Sequence, residues 1–283
     1  MNWMQWIILL LIVVSFGVGI YYYDLLPDPM ASHWDVAGDV DGYMEKTLAV
    51  FLIPVLLAIF VGIFYVIPHI DPLKANIRKF DKYYQGFIVL FVFFLTYVQV
   101  LTVAWNLGYV FDMGKMIAPA VGIVFIYLGI LMGNSKQNWF IGVKTPWTLS
   151  SQHVWERTHN IAKDIFIGIG LIWIAVGILA PAYTLYVLGL LILAVIWLFV
   201  DSYLEYQKEL KGGAPIKSST PVGAVPSSAP MKTKVGAKKA KSVEKPVKKA
   251  AKPAASKPKA KPKKTAKKAK AGKKPVKKVA KKK

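Results

Sequence analysis

The sequence predicts an all-α integral membrane protein with six transmembrane helices, both termini cytoplasmic and a disordered basic C-terminal tail. Three observations predict this class. Six uncharged apolar runs have about the length needed to cross a bilayer. Basic residues gather on alternate connecting loops. The charge balance also changes sign near residue 210: residues 1–210 carry 11 of the 37 Lys and Arg and 14 of the 15 acids, a net of −3, whereas residues 211–283 carry 26 Lys against Glu244, a net of +25. Cysteine is absent, which excludes a disulfide framework, a thiolate metal site and a cysteine nucleophile.

The first run, 7–23, follows Met1–Trp6 without a basic residue and without a small-residue cleavage site, so it reads as an uncleaved helix rather than a signal peptide. Trp3, Trp6 and Tyr21 to Tyr23 sit where interfacial aromatics belong. Loop 24–46 holds six acids and only Lys46. The second run, 47–67, contains Pro54, and the fourth, 116–132, contains Pro119; both should kink, with neighbouring helices taking up the freed carbonyls. Between them loop 68–86 carries Lys74, Arg78, Lys79 and Lys82. On the third run, 87–104, Thr96, Gln99, Thr102 and, just beyond it, Asn106 recur at helical spacing, a stripe suited to interhelical hydrogen bonds inside the bundle. A substrate pathway is the other reading of the stripe, and its usual mark, intramembrane charge, is missing from the six runs.

Loop 133–164 carries Lys136, Lys144, Arg157 and Lys163. Runs 165–181 and 183–200 are joined so tightly that they form a hairpin. The positive-inside rule then places both termini, loop 68–86 and loop 133–164 in the cytoplasm, and loop 24–46 outside. The expected regions are 1–67, a two-helix part with the acidic outer loop; 68–132, two central helices; 133–205, the long loop and closing hairpin; and 206–283, the tail.

The long loop is dense in hydrogen-bonding and aromatic side chains. Pro146 bars a helix from continuing through Thr145, and Ser150 and Ser151 are candidate N-caps for a helix starting near Gln152. On that helix Trp155, Thr158, His159 and Ala162 share one face, expected to lie at the membrane surface.

"GNSKQNWFIGVKTPWTLSSQHVWERTH", 133–159, resembles the signature of the SdpI family of bacterial and archaeal membrane proteins, matched at Gly133, Asn134, Asn138, Gly142, Thr145, Pro146, Trp147, Thr148, Leu149, Ser150, Trp155, Thr158 and His159. "LPDPMASHWDVAGDVDGYMEK", 26–46, resembles the small N-terminal domain that often precedes it, matched at Pro27, His33, Trp34, Gly38, Asp41, Gly42 and Lys46. The resemblance covers about residues 1–205. It implies a six-helix immunity or signalling protein that protects a cell from a toxic peptide and can signal to a cytoplasmic regulator. Lys144 stands where the family usually has Arg, keeping the charge and losing the bidentate fork. Gln152 and His153 replace the acids that commonly follow the Ser pair, so no capping box is expected there.

Other chemistry finds little support. Glu156 and His159 have the Glu-x-x-His spacing of di-iron bundles, but a second copy and further carboxylates are missing. His153 and His159, six apart, do not share a face. Aligning Gly42 with the invariant glycine of a calcium loop puts Ala37 at the first ligand position and Leu48 at the twelfth, so that motif fails. Gly38 and Gly42 read instead as turn glycines with positive φ. His33 and Trp34 read as a cap over the bundle, with a peptide-contact platform as the other reading. No enzyme, metal or cofactor is expected, and the expected site is the two motif loops. The Lys, Ala and Pro tail has nothing to bury and suits anionic lipid headgroups or nucleic-acid phosphates bound without sequence readout. The leading expectation is a multi-pass protein of the cell membrane, its tail in the cytoplasm, that binds a toxic peptide or envelope signal from outside; the rival is a small-solute transporter.

Overall fold

Residues 2–35 and 38–212 are described in the computed structural model. The predicted tail lies almost wholly outside the described residues. Each uncharged run lies within one helix to within two residues, and each helix is longer than its run. Run 7–23 ends one residue beyond its helix, 165–181 ends two beyond and 183–200 starts one before. Helix α1 covers Trp3–Tyr22, α2 Lys46–Ile70, α4 Asp81–Asn106, α5 Met113–Asn134, α7 Gln152–Leu179 and α8 Thr184–Lys211. Two short helices, α3 (Lys74–Ile77) and α6 (Pro146–Ser150), lie in the connections. The apolar run marks only the hydrocarbon-crossing part, and backbone hydrogen bonding continues past the first charged residue. Six helices are long and apolar enough to cross a membrane. Their outward faces stay apolar, with Leu10, Ile63 and Leu193 exposed, so this is a multi-pass membrane protein.

The six-helix all-α class is what the structure shows, with one small addition in loop 24–46: β1 (Met30–Trp34) and β2 (Val40–Met44) form a short antiparallel hairpin. The hairpin is held from its far side. Asn106 of α4 receives the Ala31 N–H on Oδ1 (2.8 Å) and donates Nδ2–H to the Ala31 carbonyl (3.0 Å), taking the place of a third strand. Gly38 has φ +92°, as expected for a turn, whereas Gly42 lies within β2 with no positive φ. Gly42 is small for a different reason: a Cβ there would stand 2.9 Å from His33 Cβ across the strands.

Helices α1, α2 and α4 form one group and α5, α7 and α8 a second, joined where α4 meets α5. In the first group, prolines dictate polar contacts. Pro54 leaves the Val50 carbonyl without its helical donor, and Gln99 Nε2 of α4 supplies one at 3.0 Å. Pro68 does the same to Phe64, whose carbonyl accepts from Tyr84 Oη at 2.8 Å. The third-run stripe thus faces the bundle interior as predicted: Thr96, Gln99 and Thr102 are buried, and Thr96 Oγ1 donates to the Leu11 carbonyl at 3.5 Å.

In the second group, α5 and α7 run antiparallel and closest of all pairs. Gly122 and Gly129 on α5, and Gly170 and Gly177 on α7, are each seven apart and line the contact. A Cβ on Gly122 would come 2.6 Å from the Gly170 carbonyl oxygen, and one on Gly170 would come 2.5 Å from that of Gly122. Close backbone approach through small residues is how membrane helices gain packing where lipid removes the hydrophobic drive.

Candidate functional site

The segment from Asn134 to His159 folds at one end of the bundle, together with the connection after α2 and the end of α8. Its shape is set by side chains bonding to backbone. Asn138, fully buried, accepts from the Phe140 and Ile141 N–H groups (2.9 and 2.6 Å) and donates to the Lys136 and Ile141 carbonyls (2.8 and 3.0 Å). All its bonding capacity goes into one turn. Asn134 closes α5 by donating to the Ile130 carbonyl. The turn then reaches Gly142, with φ +114°. A Cβ there would lie 2.2 Å from His159 Nε2, so both conformation and space require glycine.

His159 is buried and stacks on fully buried Trp155 at 3.9 Å between ring centroids. Its Nδ1–H donates to the Trp155 carbonyl (2.8 Å), and Nε2 accepts from the Val143 N–H (3.0 Å). The second bond requires an unprotonated Nε2, so the ring is the neutral Nδ1–H tautomer. Trp155 in turn donates Nε1–H to the Ser135 carbonyl (3.3 Å).

Thr145 and Pro146 start α6. Thr145 is the N-cap, bonded reciprocally with Thr148, and Pro146 occupies the first turn where its missing N–H costs nothing. Thr148 also donates to the Val143 carbonyl at 3.0 Å. Ser151 then caps α7 and bonds Glu209 of α8 at 2.5 Å. Trp147 donates Nε1–H to Ser202 of α8 at 2.6 Å and packs edge-on against Tyr203. Arg157 joins the same helix through Asp201 (2.5 Å) and Glu205 (3.5 Å). The segment is therefore a clasp between α5, α7 and α8.

One expectation is overturned. The face formed by Trp155, Thr158, His159 and Ala162 does not lie at a membrane surface; all four are buried in the protein. Lys144 is exposed, and its Nζ donates to the Phe140 carbonyl at 2.8 Å. Glu156 is half-buried and paired with Lys136 at 3.5 Å, whereas His159 bonds to backbone, so the two share no ligand site. Among the described residues no group of three His, Cys, Asp or Glu could hold a metal ion.

Sequence reasoning missed the partners that lie far along the chain. Asp71, buried after α2, accepts from the Leu73 N–H (2.6 Å) and from the Trp139 N–H (2.9 Å). Asn76 donates to the Gln137 carbonyl, and Gln137 caps α6 by donating to the Thr148 and Leu149 carbonyls (2.8 Å each). Asp71 at a helix end facing a run of amides was the one readable signal.

The hairpin and its flanking residues occupy the opposite end. His33 is exposed and pairs with Asp41, whereas Trp34 is half-buried and edge-on to Trp105. Pro27 lies exposed in the bend before β1. Lys46 reaches the Leu26 carbonyl (3.4 Å) and covers the Tyr23 ring (4.8 Å). Glu45 caps α2; the Thr47 hydroxyl, with the Thr47 and Leu48 N–H groups, holds its carboxyl below the usual range. Gly38 sits against Asp112, the N-cap of α5. Among the described residues, connections 68–86 and 133–164 and the end of α8 thus gather at one end of the bundle, and the acidic loop lies at the other.

Residues 134–201 match the SdpI/YfhL protein family, and residues 10–58 match a domain of unknown function, DUF1648. The chain is 26% identical over 204 residues to "Immunity protein SdpI" of Bacillus subtilis (strain 168), an alignment covering 72% of this chain and 96% of that protein. No solved structure matches it.

Proposed function

We propose, from the premise that this chain carries a DUF1648 segment followed by an SdpI/YfhL segment, that it is an immunity protein of the cell membrane acting by binding rather than by catalysis. The observation that carries the reading is the extent of its likeness to Immunity protein SdpI, which takes in 96% of that protein and so both motif regions rather than the clasp alone. In this reading the hairpin end faces outward and meets a toxic peptide, and the clasp end faces the cytoplasm. The clasp holds α5, α7 and α8 in one arrangement, and the close α5–α7 contact carries any displacement from the hairpin end to the clasp as a rigid shift rather than a bend. A cytoplasmic regulator would read the clasp end. The polylysine tail would hold anionic headgroups or nucleic acid beside it.

The chemistry of the clasp supports binding. His159, Asn138 and Thr148 spend their donors and acceptors on the chain's own backbone, leaving no free nucleophile–base pair among them. The test expresses the full chain in a sensitive bacterium and applies a panel of secreted peptide toxins. Survival above an empty-vector culture with at least one toxin, lost in Trp155→Ala at equal membrane abundance, is the expected result. No protection against any of them would contradict the reading.

A further inference from the structure

The two helix groups do not close against each other at the hairpin end. Helix α2 makes no extended contact with α5 or α8 there, and a cavity of about 460 Å³ lies between them. Strand β1 forms its roof through Ser32, His33 and Trp34. Below the roof the wall is apolar, formed by Ile53, Val98, Val121 and Trp173. Leu52 of α2 and Leu185 of α8 flank the side opening, and both are exposed on the surface that faces lipid. From Asn106, beneath the hairpin, down to Val98 is eight helical residues, so the cavity reaches about 12 Å inward at 1.5 Å per residue.

We propose that this cavity holds one acyl chain of a membrane lipid, entered sideways between α2 and α8, with the lipid's polar end at the hairpin roof. An apolar wall gives water too few hydrogen-bond partners to occupy it, while a hydrocarbon chain restores the dispersion contacts that an unfilled wall forfeits. The opening lies beside exposed leucines, where acyl chains are the surrounding solvent. Ser32, His33, Asp35 and Thr184 put most of the polar lining at the roof end. Below them only Thr102 and the indole N–H of Trp173 interrupt the apolar wall among the described residues, so the lining has broadly the polarity order of a lipid: polar end outward, chain inward. The site stands apart from the clasp and needs no toxin to be occupied.

The full chain in nanodiscs of phosphatidylcholine, doped with phosphatidylcholine bearing a diazirine on its acyl chain, tests this after irradiation and mass-spectrometric mapping. Adducts are expected on Ile53, Val98, Val121 or Trp173, as well as on the lipid-facing Leu193. In Val98→Trp, which fills the cavity, the inner-wall adducts should vanish while the Leu193 adduct stays at its original yield. Ile117→Trp, another wall position, fills the same space from α5 if the first variant fails to insert. Inner-wall adducts that persist in the filled variants would overturn the proposal, as would labelling of Leu193 alone. Labelling of the wall by a diazirine-bearing apolar peptide but not by the lipid would overturn it too, in favour of a peptide occupant.

Discussion

Replacing Gly142 with alanine should open the clasp. At φ +114° an L side chain is strained, costing about 1–3 kcal/mol. The new Cβ would also stand 2.2 Å from His159 Nε2, so the ring must swing away from Trp155 or the loop must lift. Either movement breaks the His159–Val143 bond and leaves a buried N–H without a partner, another 1–3 kcal/mol or so. The sum is a loss of about 2–6 kcal/mol, a large part of the stability of a typical domain. The assay is reversible unfolding of the purified full chain in mixed micelles, with Trp fluorescence as the readout, because Trp155 lies in the affected stack. A variant within about 0.5 kcal/mol of wild type, the range of harmless surface changes, would refute the argument that this glycine is fixed by its conformation and by His159.

The helix contacts make further predictions in the same assay. Gln99→Leu strips the Val50 carbonyl of its donor and should lose about 1–2 kcal/mol, while Tyr84→Phe, which frees the Phe64 carbonyl, should lose a similar amount. Gly170→Ala should lose about 1–3 kcal/mol or more through overpacking against α5, whereas Gly168→Ala on the same helix, with nothing within 4 Å, should be neutral or slightly stabilising. The isolated polylysine tail should bind anionic vesicles and duplex DNA with log affinity falling linearly against log salt, and it should ignore neutral vesicles; binding that persists in high salt would show a folded recognition element there.

The six helices were legible because a bilayer imposes one length and one polarity on every span, and runs such as 47–67 meet both without a charge. The Thr96–Gln99–Thr102 stripe was legible for the same reason, since a polar group inside a span must find a partner. What could not be read was which partner: that Gln99 answers Pro54, and Tyr84 answers Pro68, depends on the depth at which α2 and α4 cross. The hairpin was missed because Met30 to Trp34 is short and is held as a strand by Asn106, 75 residues away. The face of Trp155 and His159 was identified but placed wrongly. An amphipathic face at a membrane boundary can turn toward headgroups or toward the protein, and only the position of Gly142 and Ser135 above it decides. The seven-residue glycine spacing on α5 and α7 was present in the sequence; read as a packing period it would have paired those helices.

The account depends most on the two motif regions lying on opposite sides of the membrane. Single cysteines at Asp39, exposed next to the hairpin turn, and at Gln152, exposed at the start of α7, test this directly; the cysteine-free chain provides the background. A membrane-impermeant maleimide applied to intact cells should label position 39 and leave position 152 unlabelled until the cells are lysed. Labelling of both positions in intact cells would contradict the six-span arrangement and, with it, the separation of an outward hairpin from a cytoplasmic clasp.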